Sequence, residues 1–302
     1  MSLIPGFAST TVMVPDQSAP AADPLPIFVA SGGSGPPLLL LHGYPQTHAM
    51  WRSIAPRLAE DFTVVAMDLR GYGRSGKPPD DPAHTRYAKR TMAADAIAVM
   101  AALGFGEFSV VGHDRGGRCA YRMALDHPRV VTRLAVLDIV PTYEVYARAD
   151  MAMGLGYWHW FFLAQPAPFP ERLIGADPEY FFFGPRGDAI APSQRVFAPE
   201  SLADYRRSTT DPATIHAICA DYRAGASTDY AYDRADRGVR KIEVPLLALY
   251  GAGGAVAQWY DVAALWRDWA SDVLARSVPA GHFLAEQEPE QTYAALGGFL
   301  RG

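Results

Sequence analysis

The sequence predicts an α/β fold, a mostly parallel sheet covered by helices on both faces and broken once by a helical insertion. Short apolar runs alternate with segments of helical periodicity. The runs lack polar alternation, the pattern of strands buried on both faces. The alternation stops for roughly a hundred residues, too long for a structureless loop in a compact domain, and then resumes. With 302 residues, 49% apolar and 20% charged, the chain can bury a large core. A length prior of ~150 residues per domain allows two domains, or one large domain with an insertion.

The first thirty residues read as two short extended pieces around a turn from Asp16 to Pro24. After the Gly-Pro-rich stretch Gly32 to Pro37, Leu38–Leu41 is the first buried strand. Phe62–Met67, Phe108–Val111, Leu134–Leu137, Pro245–Tyr250 and a weaker Val273–Val278 follow as strands. Helical periodicity covers Met50–Leu58, Met92–Leu103, Cys119–Leu125, Val262–Trp269 and Thr292–Leu300. From Pro141 to Gly238 no strand-like run occurs, and Tyr, Trp, Phe and Pro are abundant. The expected division is therefore a core of residues 1–140 and 239–302 with a helical cap at 141–238, set over the strands' C-terminal ends where open α/β sheets bind ligands. Trp158, Phe161, Phe162, Phe181 and Phe182 are expected to pack the cap's own core.

Composition excludes several classes. Lys and Arg number 27 against 32 Asp and Glu, a net charge of −5, and there is no basic run. Nucleic acid and an anionic membrane are therefore not expected partners. The two cysteines, Cys119 and Cys219, have no metal-ligand spacing and suit a reducing compartment. No secretory signal and no membrane span is visible, so a cytoplasmic location is expected.

The apolar run Phe108–Val111 leads into Gly112-His113-Asp114-Arg115-Gly116-Gly117, and a helix follows. This is the strand–turn–helix setting of a nucleophile elbow, G-x-S-x-G, with Asp114 at the tip in place of serine. A carboxylate there displaces a leaving group from an sp³ carbon and forms an ester that water must hydrolyse. The turn Leu40-Leu41-His42-Gly43-Tyr44-Pro45 follows the first buried strand, and the amides of Tyr44 and Arg115 are the expected oxyanion hole. Pro279-Ala280-Gly281-His282-Phe283 follows the last strand, and only there does a histidine stand in the position of a general base. Together these motifs define the α/β-hydrolase fold. Asp68-Leu69-Arg70-Gly71-Tyr72-Gly73 reads as turn architecture. His42 and His113 are expected to bond nearby backbone, and His48, His84 and His127 to lie at the surface or at helix ends.

Two acids compete to orient His282. The turn after the penultimate strand, Tyr250 to Val256, lacks a carboxylate, and Asp261 falls where a helix has begun. Asp138, at the end of Leu134–Leu137, can reach the same imidazole from the neighbouring strand and is preferred. Arg115 and Arg118 share a helical face one and four residues after Asp114. Cations at a helix start oppose the macrodipole, and no acid follows on that helix before Asp126. They read either as a bidentate grip on a carboxylate substrate or as salt bridges to the cap; Arg122 extends the row as a surface residue.

At these residues the chain resembles the haloacetate dehalogenases of the α/β-hydrolase fold, the group that includes fluoroacetate dehalogenase. The resemblance runs from the His42-Gly43 turn to His282, and Gly112-His113-Asp114-Arg115-Gly116-Gly117-Arg118 is its most specific motif. It implies Asp114 as nucleophile, His282 as base, Asp138 as its partner, and Arg115 and Arg118 as ligands of the substrate carboxylate. It further implies a halide cradle of His159 and Trp160 with Tyr222, no cofactor and no metal. Members are often homodimers, but the chain shows no interface signature. Tyr44 departs from the phenylalanine more usual there. The function implied is hydrolysis of a short 2-haloacid to the hydroxy acid and halide. Two alternatives stay open: an epoxide hydrolase using Tyr143, Tyr157 or Tyr222 as proton donor, and a non-catalytic binder of small carboxylates.

Overall fold

The computed structural model describes residues 2–19, 23–184 and 197–302. Its sheet has eight strands: β1 (Ala8–Val14), β2 (Leu25–Gly32), β3 (Pro37–Leu41), β4 (Thr63–Met67), β5 (Phe108–His113), β6 (Val131–Leu137), β7 (Leu246–Gly251) and β8 (Val273–Val278). Their spatial order is β1-β2-β4-β3-β5-β6-β7-β8. β1 and β2 run antiparallel to their neighbours, and β4, β3 and β5 through β8 are parallel. Leu38 to Leu41 are wholly buried, which accounts for their unbroken apolar run. From β3 the chain crosses first to β4 on one side and then to β5 on the other. The crevice between the C-terminal ends of β3 and β5 is thus the topological switch point, where open α/β sheets bind ligands.

Before β6 the helices are α1 (Ala55–Leu58), α2 (Lys89–Ala102) and α3 (Asp114–Asp126). The periodic stretch Met50–Leu58 is broken: His48–Trp51 is a 3₁₀ turn, and α1 starts afresh with Pro56 in its first turn. A proline without an N–H is tolerated in a first turn but not inside a helix, so the two pieces cannot fuse. α3 begins at Asp114, five residues before the periodicity becomes visible, because its glycines hide the pattern.

Among the described residues the chain between β6 and β7 has no strand. It forms α4 (Thr142–Ala147), α5 (Met151–Gly156), α6 (Trp158–Leu163), α7 (Phe169–Ala176), α8 (Pro178–Phe183), α9 (Pro199–Thr209), α10 (Pro212–Ala224) and α11 (Tyr230–Asp236). α12 (Ala255–Trp259), α13 (Val262–Trp269), α14 (Leu284–Gln287) and α15 (Pro289–Arg301) complete the chain. Phe182 is buried as expected, but Trp158 is 39% and Phe161 38% exposed and neither is core. On a six-residue helix in which nearly every side chain is aromatic, His159, Trp160 and Leu163 take the buried face instead.

The insertion is tied to α3 by charge. Arg122, expected at the surface, is buried and pairs with Asp126 at 2.8 Å and Asp236 at 2.6 Å. Asp233 accepts from the Tyr121 hydroxyl on the same seam. Removing one partner of such a pair strands a buried charge, at a cost of about 3–5 kcal/mol. No helix among the described residues is long and apolar enough to cross a membrane.

Candidate active site

Asp114 stands between β5 and α3 with φ at +43°, a left-handed conformation that costs a non-glycine residue roughly 1–2 kcal/mol. The flanking glycines make the turn passable. A Cβ on Gly116 would lie 2.4 Å from the His42 carbonyl oxygen, and one on Gly112 would lie 2.4 Å from that of Gly116. The start of α3 is thereby pressed against the end of β3, where the Tyr44 N–H donates to Asp114 Oδ2 at 3.0 Å. One amide expected in the oxyanion hole therefore already holds a carboxylate oxygen. The Arg115 amide lies one residue beyond the nucleophile in α3.

The Asp68 turn braces this loop. Asp68 accepts from the backbone N–H and Nδ1 of His48, both at 2.8 Å, and from the Arg74 N–H at 2.9 Å. His48 stands at a helix end, one of the two positions expected of it, as the first residue of the His48–Trp51 turn, and there it is a buried partner of Asp68. His42 Nδ1 lies 2.8 Å from the Gly43 carbonyl, and its Nε2 accepts the Leu69 N–H at 3.0 Å.

Asp138 is the acid that meets the base: His282 Nδ1 lies 2.7 Å from Asp138 Oδ2. Asp138 Oδ1 accepts the Gly251 N–H at 3.0 Å, so the β7 turn that lacks a carboxylate supplies a donor to one. Asp261 instead caps α13 through the Ala264 N–H at 2.9 Å. With Nδ1 committed to Asp138, Nε2 is the basic nitrogen of neutral His282. Burial alone would lower the His282 pKa, but the hydrogen bond and charge of Asp138, with the charge of Asp114, raise it. Burial would raise the Asp114 pKa, yet the opposing charges of His282, Arg118 and Arg115 hold it below the ordinary carboxylate range. Asp114 is thus held ionised despite its burial. His113 is driven down to about 3 by burial and the neighbouring His282, stays neutral, and lies with Nε2 2.8 Å from the His282 carbonyl.

A cavity of about 170 Å³ opens on these groups, lined by Tyr44, Asp114, Arg118, Asp138, His159, Trp160, Tyr222 and His282. Ligand pockets commonly span ~300–1,000 Å³, so this one suits a molecule of few heavy atoms. Tyr222 is the hub of the insertion's contribution: its ring centroid lies 5.8 Å from both His159 and Trp160, edge-on to each. Tyr44 stacks on His159 at 5.7 Å and meets Tyr222 edge-on at 5.3 Å. The Tyr44 ring is therefore part of the same aromatic wall.

The two arginines diverge. Arg118 lines the cavity, with Nε 3.9 Å from Asp114 Oδ1 and its guanidinium 4.5 Å from the Trp160 ring centre. Arg115 is wholly buried behind the wall, paired with Asp221 of α10 and 4.3 Å from the Tyr222 ring centre. Of the two readings of the sequence, Arg115 shows the ion pair to the insertion, and Arg118 rather than Arg115 lines the cavity. Among the described residues, Arg115 Nη1 and Arg118 Nε are buried N–H groups without a hydrogen-bond partner. Unspent guanidinium donors next to a small cavity are what a carboxylate ligand would satisfy.

Sequence reasoning did not find Val140, Val145, Ala255, Val256 and Tyr260, which form the cavity's less polar flank. Nothing in their local sequence marks them. Tyr157 lines the cavity too, whereas Tyr143 stacks on Tyr230 at 5.3 Å. Among the described residues, no three His, Cys, Asp or Glu side chains are grouped to hold a metal ion.

Fold and site define an α/β-hydrolase with an aspartate at the turn after β5, and the α/β hydrolase fold family model matches residues 36–289. Within that fold the chain belongs to the haloacetate dehalogenases, hydrolases that act on carbon–halide bonds. It is 47% identical over 269 residues to a fluoroacetate dehalogenase from Burkholderia sp, covering 89% of this chain and 88% of that protein. A soluble epoxide hydrolase from Corynebacterium sp. (strain C12) is 33% identical, with 86% of this chain and 88% of that one covered. The crystal structure of a provisionally assigned α/β hydrolase from Nostoc sp PCC 7120 superposes with a TM-score of 0.90 at 48% identity, covering 97% of this chain and 98% of the other.

Proposed function

We propose that this enzyme hydrolyses short 2-haloacids such as fluoroacetate or chloroacetate to glycolate and halide through an ester on Asp114. The observation that carries this reading is the ionised, strained Asp114 facing a small cavity that also holds Arg118, His282 and the Tyr222 cluster. In this reading the substrate carboxylate lies against Arg118 and is directed at the buried Nη1 of Arg115, which has no hydrogen-bond partner among the described residues. Oδ2 is engaged by the Tyr44 amide, so Oδ1 is the attacking atom. It forms a bond to the halogen-bearing carbon as the carbon–halogen bond breaks, and the halide leaves with the electron pair. His159, Trp160 and Tyr222 stabilise that charge as it develops, which favours the transition state over bound substrate. His282 Nε2 then takes a proton from water attacking the ester carbonyl, and the Tyr44 amide receives the oxyanion at Oδ2. Collapse breaks the bond between the Asp114 carboxyl carbon and Oδ1, and glycolate leaves with Oδ1 as its hydroxyl oxygen and the proton from His282. Alkylation also removes the Asp114 charge that raises the His282 pKa, so the base loses its proton more easily at the step that needs it.

Halide release from fluoroacetate and chloroacetate, set against diol formation from styrene oxide, tests the assignment. Halide from the haloacids and no diol is the expected result. Diol formation without halide would establish the epoxide reading, which the Corynebacterium relative and the cavity position of Tyr157 and Tyr222 favour. Binding of acetate with neither reaction would mark a carboxylate receptor.

Tyr222→Phe provides a finer measurement. Loss of one donor to developing charge commonly costs ~10²–10³ in rate. Fluoride, the strongest hydrogen-bond acceptor among the halides, depends on it most. Ion-selective electrodes should show fluoride release down about 100-fold and bromide release down less than about 10-fold.

A further inference from the structure

Arg115 meets the insertion in a buried charged knot that the steps above do not use. Asp221, wholly buried on α10, accepts from Arg115 Nε at 3.0 Å. Arg115 Nη2 donates both to the Asp221 carboxylate and, at 2.8 Å, to its backbone carbonyl. The Tyr72 hydroxyl donates to Oδ2 at 2.7 Å, and the buried ammonium of Lys89 donates to Oδ1. Burial opposes charge here, but Arg115 and Lys89 outweigh it and hold the Asp221 carboxyl far below the usual range.

The backbone is shaped around this contact. α10 runs into a π-helical turn at Gly225–Asp229. A Cβ on Gly225 would lie 3.2 Å from Arg115 Nη2, closer than most real Cβ contacts. π-Turns inside helices occur often at functional sites, where they re-aim the chain.

Two of the three guanidinium nitrogens of Arg115 are therefore spent on one residue, which leaves Nη1, buried and without a hydrogen-bond partner among the described residues, as the remaining donor. Tyr222 follows Asp221 directly in the chain, and its ring packs on the same guanidinium at 4.3 Å. A long arginine stem has many rotamers, so a clamp of this kind is what aims one of its N–H groups. We propose that Asp221 is a positioning residue that fixes Arg115 with Nη1 toward the substrate carboxylate and couples this clamp to the Tyr222 cradle. The proposal rests on the haloacid reading above.

The test begins with the unaltered enzyme, its chloride release from chloroacetate, and calorimetric titration with acetate and glycolate. Asp221→Asn is then compared with Lys89→Met, which breaks the same knot without touching Arg115. Asp221→Asn is expected to raise KM for chloroacetate and Kd for acetate about tenfold or more, with a smaller fall in kcat. Lys89→Met should lower Tm yet leave KM within about twofold. If Asp221→Asn does not fold, the charge-balanced pair Asp221→Asn/Lys89→Met replaces it under the same expectation. A folded variant lacking Asp221 with KM and Kd within about twofold of the unaltered enzyme overturns the proposal. So does Lys89→Met raising KM as far as the Asp221 variant. An unaltered enzyme that releases no halide and binds neither carboxylate overturns the haloacid reading instead, and this proposal with it.

Discussion

Asp114→Asn is expected to abolish halide release, lowering kcat by at least ~10⁴-fold, because the amide cannot displace a halide and no second nucleophile stands in its place. The fold should survive. Asparagine tolerates the left-handed backbone of position 114 as well as aspartate does, and its carbonyl oxygen can still accept the Tyr44 N–H. Removing the negative charge 3.9 Å from Arg118 also frees that guanidinium for a ligand. The variant should therefore bind acetate or chloroacetate at least as tightly as the unaltered enzyme while turning nothing over. Calorimetry beside a halide assay checks both halves. Weakened binding together with lost turnover would point to a collapsed site rather than a missing nucleophile.

His282→Gln should separate the two chemical steps. Displacement needs only Asp114, whereas ester hydrolysis needs the proton acceptor at Nε2, and loss of a general base typically costs ~10²–10⁴-fold. One equivalent of halide should appear in a burst and then stop, and the peptide containing Asp114 should gain the mass of a carboxymethyl group. The unaltered enzyme should show the matching pH dependence. The His282 pKa is raised in the free enzyme, and alkylation of Asp114 removes one of the charges that raise it. The imidazole is still protonated and inactive as a base at low pH, so kcat falls as pH drops through the lower value of the ester form. The acidic limb should be absent from the residual rate of His282→Gln. A multiple-turnover rate within about tenfold of normal would remove His282 from the role of base.

The strands from β3 to β7 were legible because strands buried on both faces carry continuous apolar runs, and Leu38–Leu41 and Leu134–Leu137 are unambiguous on that ground, whereas β8, with Arg276 and Ser277 exposed, gives the weaker run. The elbow was legible because packing of α3 against β3 leaves no room for side chains at 112 and 116. Asp138 could be chosen because the turn after Tyr250 has no carboxylate, and the contact with His282 Nδ1 lies where that reasoning put it. What stayed hidden depends on contacts across long sequence separations. No acid follows Arg115 on its own helix before Asp126, and nothing local reveals that its partner lies 106 residues away, one position before Tyr222. Trp158, Trp160 and Phe161 share one short helix whose composition is too uniform to show which face turns inward. The apolar flank of Val145 and Val256 is assembled from α4 and α12, and only the folded chain brings them to one wall.

The central claim is that water enters the product through Asp114. A single turnover with enzyme in excess over chloroacetate in H₂¹⁸O measures it directly. The account predicts ¹⁸O in the Asp114 carboxylate and ¹⁶O in the hydroxyl of the glycolate released, because water attacks the ester carbonyl rather than the substrate carbon. Unlabelled Asp114 with ¹⁸O in that hydroxyl would contradict it and place the attack of water on the substrate itself.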